Sequence, residues 1–264
     1  MARITRFAPS PTGPLHLGHA FAALTAAQRG DTFRLRIEDI DQTRCKPEWE
    51  AAIHDDLHWL GLNYETPLRQ STRLPLYRAA LNQLAALGLT YSCTCTRADI
   101  AAAATAPQGP DGPIYPGTCR GHHGAGAIRL DMAKAMQILH AVHFTETGGA
   151  FGIHRFDTAH MTQTIGDIVL ARRDIGTSYH LSVVVDDAAQ AITEVTRGED
   201  LLDATPIHVA LQRLLNLPTP AYHHHRLICD DQGRRLAKRD NARALSKYRV
   251  EGATPQDIRR LVNL

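Results

Sequence analysis

His16 and His19 stand three residues apart in the run Pro9-Ser-Pro-Thr-Gly-Pro-Leu-His16-Leu-Gly18-His19. Two imidazoles at that spacing, at the start of a helix, can face one anion. Gly18 admits a planar ligand to the backbone, and the helix N-terminus adds N–H donors and the positive end of its dipole. The combination suits nucleotide phosphates, although four residues alone also fit a chance His-x-x-His on a surface helix or half a metal site. No Walker loop and no G-x-G-x-x-G occurs, which excludes the usual phosphate loops. A second cluster, Arg34-Leu-Arg36-Ile-Glu38-Asp39-Ile-Asp41, offers carboxylates to an ammonium group, or a solvated charge cluster pairing with itself. Cys93-Thr-Cys95 and Cys119 supply three soft metal ligands. The five cysteines are an odd number, which fits a reduced cytoplasmic compartment with one metal cluster better than a disulfide framework. Arg226–Arg249 holds eight basic and three acidic residues, around Gln232-Gly-Arg-Arg-Leu236-Ala-Lys238-Arg239. Such a loop can close over a triphosphate or hold an RNA phosphate, or be a solvated tail.

The elements that must position these groups read as α/β. Arg3–Phe7 predicts a strand, Ala8–Pro14 a turn, Leu17–Gln28 a helix stopped at Gly30, and Thr32–Ile37 a second strand, together a parallel βαβ unit. Glu38 and Asp39 then sit at a strand's carboxyl end, where open parallel sheets bind ligands. Pro47–Leu60 and Pro75–Leu87 predict amphipathic helices. Thr105–Gly126 is a loop-rich insertion too poor in apolar residues to hold itself together. Strands are expected at Ile165–Leu170, Leu181–Val185 and Ile192–Thr196, a helix over Pro206–Leu215, and two short helical stretches beyond Pro218. Of 264 residues 44% are apolar and 21% charged, ordinary globular usage that excludes disordered, collagen-like and coiled-coil chains. The net charge of +2 leaves nucleic-acid contact to a local patch. No run of about 18 apolar residues predicts a membrane span. Pro9, Pro11 and Gly13 interrupt the one stretch that imitates a signal peptide.

Taken in order, these motifs resemble the class I glutamyl-tRNA synthetases. Arg6-Phe-Ala-Pro-Ser-Pro-Thr-Gly with His16-Leu-Gly-His19 is similar to their HIGH region. Arg36-Ile-Glu-Asp-Ile-Asp41, Val183-Val-Val-Asp-Asp187 and Arg197-Gly-Glu-Asp200 follow in the family's order, and Leu236-Ala-Lys238-Arg239 stands at the KMSKS-type loop with Ala237 in place of serine. Only 25 residues follow Arg239, too few for the family's anticodon-binding domain. Together with Tyr115-Pro-Gly-Thr-Cys119, this makes the chain resemble the truncated, zinc-containing glutamyl-queuosine tRNA(Asp) synthetase family. The resemblance implies a Rossmann-like parallel sheet whose first half is 1–90, a zinc-binding insertion over 91–160, a second half over 161–217, and a small helical part over 218–264 with the KMSKS-type loop.

It further implies activation of L-glutamate with ATP and Mg2+, without tRNA, and esterification of the queuosine at the wobble position of tRNA(Asp), with no membrane and no obligate protein partner. The alternatives are a short synthetase charging the acceptor end, or a non-catalytic zinc-containing tRNA binder. His16, His19 and Lys238 are the implied catalytic groups. Gly18 and Leu236 join them around ATP, and Arg6, Ala8, Ser10, Glu38, Tyr179 and Arg197 form the glutamate pocket. Cys93, Cys95, Tyr115 and Cys119 are the implied structural zinc ligands, with His122 or His123 the ordinary alternative to the phenolate. His223-His-His225 is read as a surface or packing feature.

Overall fold

The computed structural model describes residues 2–96, 98–100, 108–110, 112–229 and 243–264. It opens with β1 (Ile4–Phe7), α1 (Leu17–Arg29) and β2 (Thr32–Ile37), and the two strands pair in parallel with Ile4 opposite Thr32 and Phe7 opposite Leu35. The βαβ unit is thus present, each boundary within one residue of the expected place. The Ala-rich α1 ends at Gly30 because the chain passes close to β1 there; a Cβ would collide with Thr5 Oγ1 and lie 2.8 Å from Thr32 O. α2 (Pro47–Trp59) carries proline in its first turn, where a missing N–H breaks no helical bond. β3 (Leu68–Arg69) extends the sheet in parallel from β2, and α3 (Leu74–Ala86) follows.

The chain then leaves this layer. β4 (Thr90–Cys93) pairs antiparallel with β7 (Ala127–Leu130), and the small hairpin β5 (Gln108–Gly109) and β6 (Gly112–Pro113) lies between them in sequence. α4 (Met132–Leu139) and the hairpin β8 (Ala141–Glu146) and β9 (Gly152–Asp157) come next, none of which the sequence reading anticipated. The strand expected at Ile165–Leu170 is shorter. Met161–Ile165 is a π-helical turn, Gly166 takes φ +71°, and β10 spans only Val169–Ala171, pairing with β7.

One element differs in kind. Leu181–Val185, expected as a strand, lies inside α5 (Tyr179–Ala189). Ser178 caps it by accepting from Leu181 N, and seven of its eleven residues are buried. A helix buried nearly all round has no apolar period to distinguish it from a buried strand, and tertiary packing overrides the β-propensity of three consecutive valines. β11 (Glu194–Gly198), α6 (Thr205–Leu214) and β12 (Ala221–His225) follow, and α7 (Leu245–Val250) and α8 (Pro255–Leu261) are the two expected C-terminal helices.

β12 lies between β11 and β8, parallel to both, with β9 antiparallel at the edge. Thr193 N donates to Ile4 O at 3.0 Å and Ile4 N to Thr193 Oγ1 at 2.8 Å, which sets β11 beside β1. Chain segments from both halves therefore meet at the carboxyl ends of β1, β2 and β11. The architecture is α/β with a parallel sheet, as expected, and one apolar core joins α3, α4, α5 and α6 while another joins α1, α2, α7 and α8.

Candidate active site

β1 and β2 carry Arg6 and Arg36: register sets Arg6 opposite Arg34, and Arg36 lies two residues further along β2 on the same face of the sheet. The Asp187 carboxylate from α5 bridges them. Arg6 Nε donates to its Oδ1 at 3.0 Å and Arg36 Nη1 donates to the same atom at 2.7 Å. Against the cost of burial, these two guanidiniums hold Asp187 below the usual carboxylate range. Arg36 also reaches Glu38 Oε1 at 3.3 Å, while burial pushes the Glu38 carboxyl up. Arg6 Nη1 donates to Thr196 O at 3.1 Å, tying β1 to the residue before Arg197. Asp186, next along α5, turns the other way: it accepts from Gln70 Nε2 at 2.9 Å, Arg73 Nε at 2.7 Å and the Tyr77 hydroxyl at 2.8 Å. The Asp-Asp pair thus anchors α3 with one carboxylate and orients two site arginines with the other.

Ser10, Glu38 and Tyr179 line a cleft of about 800 Å³, together with Thr12, Asp41 and Arg172. Glu38 N donates to Pro9 O at 3.0 Å, so the Pro-rich turn is held against the end of β2, with Ala8 half-buried in it. Tyr179 is half-buried at the start of α5, its ring 5.7 Å from that of His208, and burial pushes its phenol up. Arg197, 7% exposed, donates to His224 Nε2 at 3.1 Å, His208 Nδ1 at 2.9 Å and Thr205 Oγ1 at 2.7 Å.

His16 is the N-cap of α1. Its Nδ1 accepts from Gly18 N at 3.1 Å, His19 Nδ1 accepts from His16 N at 3.2 Å, and the ring centroids are 3.8 Å apart. The two imidazoles are therefore turned toward one another at the helix start, and Gly18 lacks a Cβ that would lie 3.0 Å from the His16 ring. Neither histidine belongs to the cleft lining. Leu245 N donates to Leu15 O at 2.8 Å and Ala244 bridges His16, so the chain returns to this helix end after the basic loop. Leu236, Ala237 and Lys238 lie outside the described residues.

Cys93, Cys95 and Cys119 bring their sulfurs within 4.8 Å of one another. The Tyr115 hydroxyl lies 3.3 Å from Cys93 Sγ and 3.4 Å from Cys95 Sγ, and accepts from Cys119 N at 3.0 Å. Its hydrogen bond draws the Cys119 thiol down to about 6, toward the thiolate that a metal requires. His122 and His123 are exposed, outside this group. Around the thiols the buried cluster is Tyr91, Cys93, Tyr115 and Cys119, with no aliphatic residue among its buried members. Gly126 is required beside it, because a Cβ would lie 2.6 Å from Cys93 O. Three thiols and a phenol converging in a segment without an apolar core fit a tetrahedral structural zinc.

Several groups at the site escaped the sequence reading. Asp187 stood in a noted motif without a role, and Asp167 was not noticed: it accepts from Tyr91, Arg120 and Met132 N, pinning the insertion to the main body. Cys95 also lines the cleft, so the thiol cluster borders the substrate side despite its distance from His16 in sequence. His224 and His225 are buried in β12, which makes His223-His-His225 a packing feature rather than a surface one.

Residues 3–264 match the family described as tRNA synthetases class I (E and Q), catalytic domain. Among curated relatives, the glutamyl-Q tRNA(Asp) synthetase of Rhodobacter capsulatus is 61% identical over 99% of this chain and all of its own length. That of Symbiobacterium thermophilum is 42% identical over 96% of this chain and 83% of its own. A glutamate tRNA ligase from Elizabethkingia meningosepticum, solved in complex with its amino acid, matches 97% of the chain with a TM-score of 0.70 at 24% identity. That match covers 59% of the ligase, and it bears on the fold alone.

Proposed function

The chain belongs to the glutamyl-Q tRNA(Asp) synthetase family of class I tRNA synthetases for glutamate and glutamine, and from that premise we propose that it activates L-glutamate with ATP and transfers it to the queuosine at the wobble position of tRNA(Asp). The observation that carries the activation step is a group of buried arginines beside the cleft that Ser10, Glu38 and Tyr179 line. Arg6 and Arg36 are held by Asp187 beside Glu38, and Arg197 is held close by. An amino acid with a side-chain carboxylate suits Arg6 and Arg197, and Glu38 takes the α-ammonium, with Ala8, Ser10 and Tyr179 around it.

Activation is an in-line attack of the glutamate α-carboxylate on the α-phosphate of ATP, giving glutamyl-adenylate and pyrophosphate. The protein contributes positioning and charge neutralisation rather than covalent help. His16 and His19 at the N-terminus of α1, with Gly18, Leu236 and Lys238, hold the Mg2+-bound phosphates. Cys93, Cys95, Tyr115 and Cys119 would hold zinc, which supplies a cross-link to the insertion.

Two assays test this reading. Glutamate-dependent exchange of pyrophosphate into ATP is expected with no tRNA present. Labelled glutamate is then expected on tRNA(Asp) carrying queuosine and absent from the same tRNA carrying guanosine, with mild alkali releasing it and the 3′ end left free. Labelling abolished by blocking the 3′ end alone overturns the queuosine assignment in favour of acceptor-end charging.

A further inference from the structure

The cations of the pocket differ in what balances them. Arg6 and Arg36 share Asp187, and Arg36 also has Glu38, so that group is nominally neutral. Arg197 makes no ion pair among the described residues. Its partners are His224 Nε2, His208 Nδ1, Thr205 Oγ1 and, at 3.3 Å, Leu201 O, with the Tyr222 ring 5.3 Å beneath the guanidinium. Four of its five N–H donors are thus committed to neutral acceptors. A guanidinium only donates, so both histidines must present an unprotonated nitrogen to it.

The rest of the network enforces that arrangement. His224 Nδ1–H donates to Glu146 Oε2 at 2.5 Å, and that buried carboxylate also accepts from His224 N at 2.9 Å and Gly148 N at 2.6 Å. His208 Nε2–H donates to His180 Nδ1 at 3.0 Å. The hydrogen bonds therefore run outward from Arg197 in both directions, through His208 to His180 and through His224 to Glu146. Burial, then the neighbouring Arg197 charge, keeps the His208 imidazole well below its ordinary value and holds His224 down at about 4.

We propose that His208 and His224 are positioning residues for glutamate activation: as single-tautomer acceptors they fix the Arg197 guanidinium without neutralising it, so that the substrate's side-chain carboxylate is the anion it meets. The proposal rests on the reading of Arg197 as a glutamate ligand. It explains why imidazoles stand where a carboxylate would hold an arginine more tightly. An internal carboxylate would compete with the substrate, as Asp187 already occupies part of Arg6.

The test compares two variants at one position in tRNA-free pyrophosphate exchange. His208→Asn keeps an acceptor near the Nδ1 position and is expected to hold the glutamate KM within about threefold of the parent. His208→Asp puts a carboxylate there and is expected to raise the glutamate KM about tenfold or more, with kcat and the ATP KM little changed. Equal glutamate KM values in the two variants overturn the proposal. Arg197→Gln separates the premise. If it leaves the glutamate KM unchanged, the reading of Arg197 falls and the proposal with it. If it raises KM while the His208 variants match, only the positioning role falls. Nitrogen-15 correlation spectra of the parent protein's histidine rings give a readout independent of variant folding. His208 is expected as the Nε2–H tautomer and His224 as the Nδ1–H tautomer at pH 7, and a doubly protonated ring at either position overturns the proposal.

Discussion

Single side chains at this site are set by what shares them. Asp187 serves Arg6 and Arg36 through one oxygen, so its loss takes an ion-pair partner from two buried cations at once and leaves only Arg36 with another, Glu38. Asp187→Asn is expected to cost about 3–5 kcal/mol of stability in denaturant titrations, the range for breaking a buried pair from one side, and to weaken glutamate binding. Lys238→Ala is expected to lower the adenylation rate about 10²–10³-fold with little change in glutamate KM, as deletion of a donor to developing charge does. An unchanged rate would pass that role to Arg239. The histidines around Arg197 carry a pH signature. His224 is held at about 4 and His208 below its ordinary 6.5, so the folded state binds fewer protons than the unfolded chain. Stability is complete above pH 6.5 and falls as pH drops from there toward 4, by up to about 1.4 kcal/mol per pH unit for each ring. Denaturant midpoints at pH 7, 6 and 5 measure this, and a flat profile there would contradict it.

Among elements, the thiol-bearing segment rests on polar anchors, and α5 adds them to its apolar packing. The buried cluster around the thiols is two tyrosines and two cysteines, and Asp167 ties it to the main body through Tyr91 and Arg120. We expect about one zinc per chain by metal analysis, and a Cys119→Ser protein with less zinc, a lower melting temperature and faster amide exchange over 91–126. Full stability without zinc would refute a metal role there. Tyr115→Phe distinguishes the fourth ligand, since retained zinc would pass the position to water or a histidine. α5 is fastened to α3 through Asp186, which is fully buried and accepts from Gln70, Arg73 and Tyr77. Truncating it would free the helix that also carries Tyr179 and Asp187, so this one anchor supports both the core and the pocket.

For the whole molecule, a net charge of +2 gives little general attraction to RNA. Binding to tRNA(Asp) is expected to weaken with salt, each phosphate contact adding about 0.7 to 0.9 to the magnitude of the slope of log affinity against log salt. The slope should correspond to a few contacts rather than to a uniformly basic surface, with the excess of five charges over Arg226–Arg249 supplying them.

The sequence by itself determined the βαβ entry, the α/β class, the family and the three-cysteine cluster. These rest on local rules: turn residues, helix stops, period and fixed ligand spacing act over a few neighbours and leave a readable trace. It misjudged α5 because a helix buried on nearly all sides looks apolar throughout, and it missed α4, β8, β9 and β12, whose short segments are stabilised by pairing and packing. Only the tertiary structure decided that Asp187 joins Arg6 to Arg36, that Cys95 borders the cleft, and that Arg197 is gripped by His208 and His224. Those hydrogen bonds join residues from 11 to more than 180 positions apart, and the packing of α5 and α6 against the parallel strands, rather than any spacing along the chain, brings them within reach.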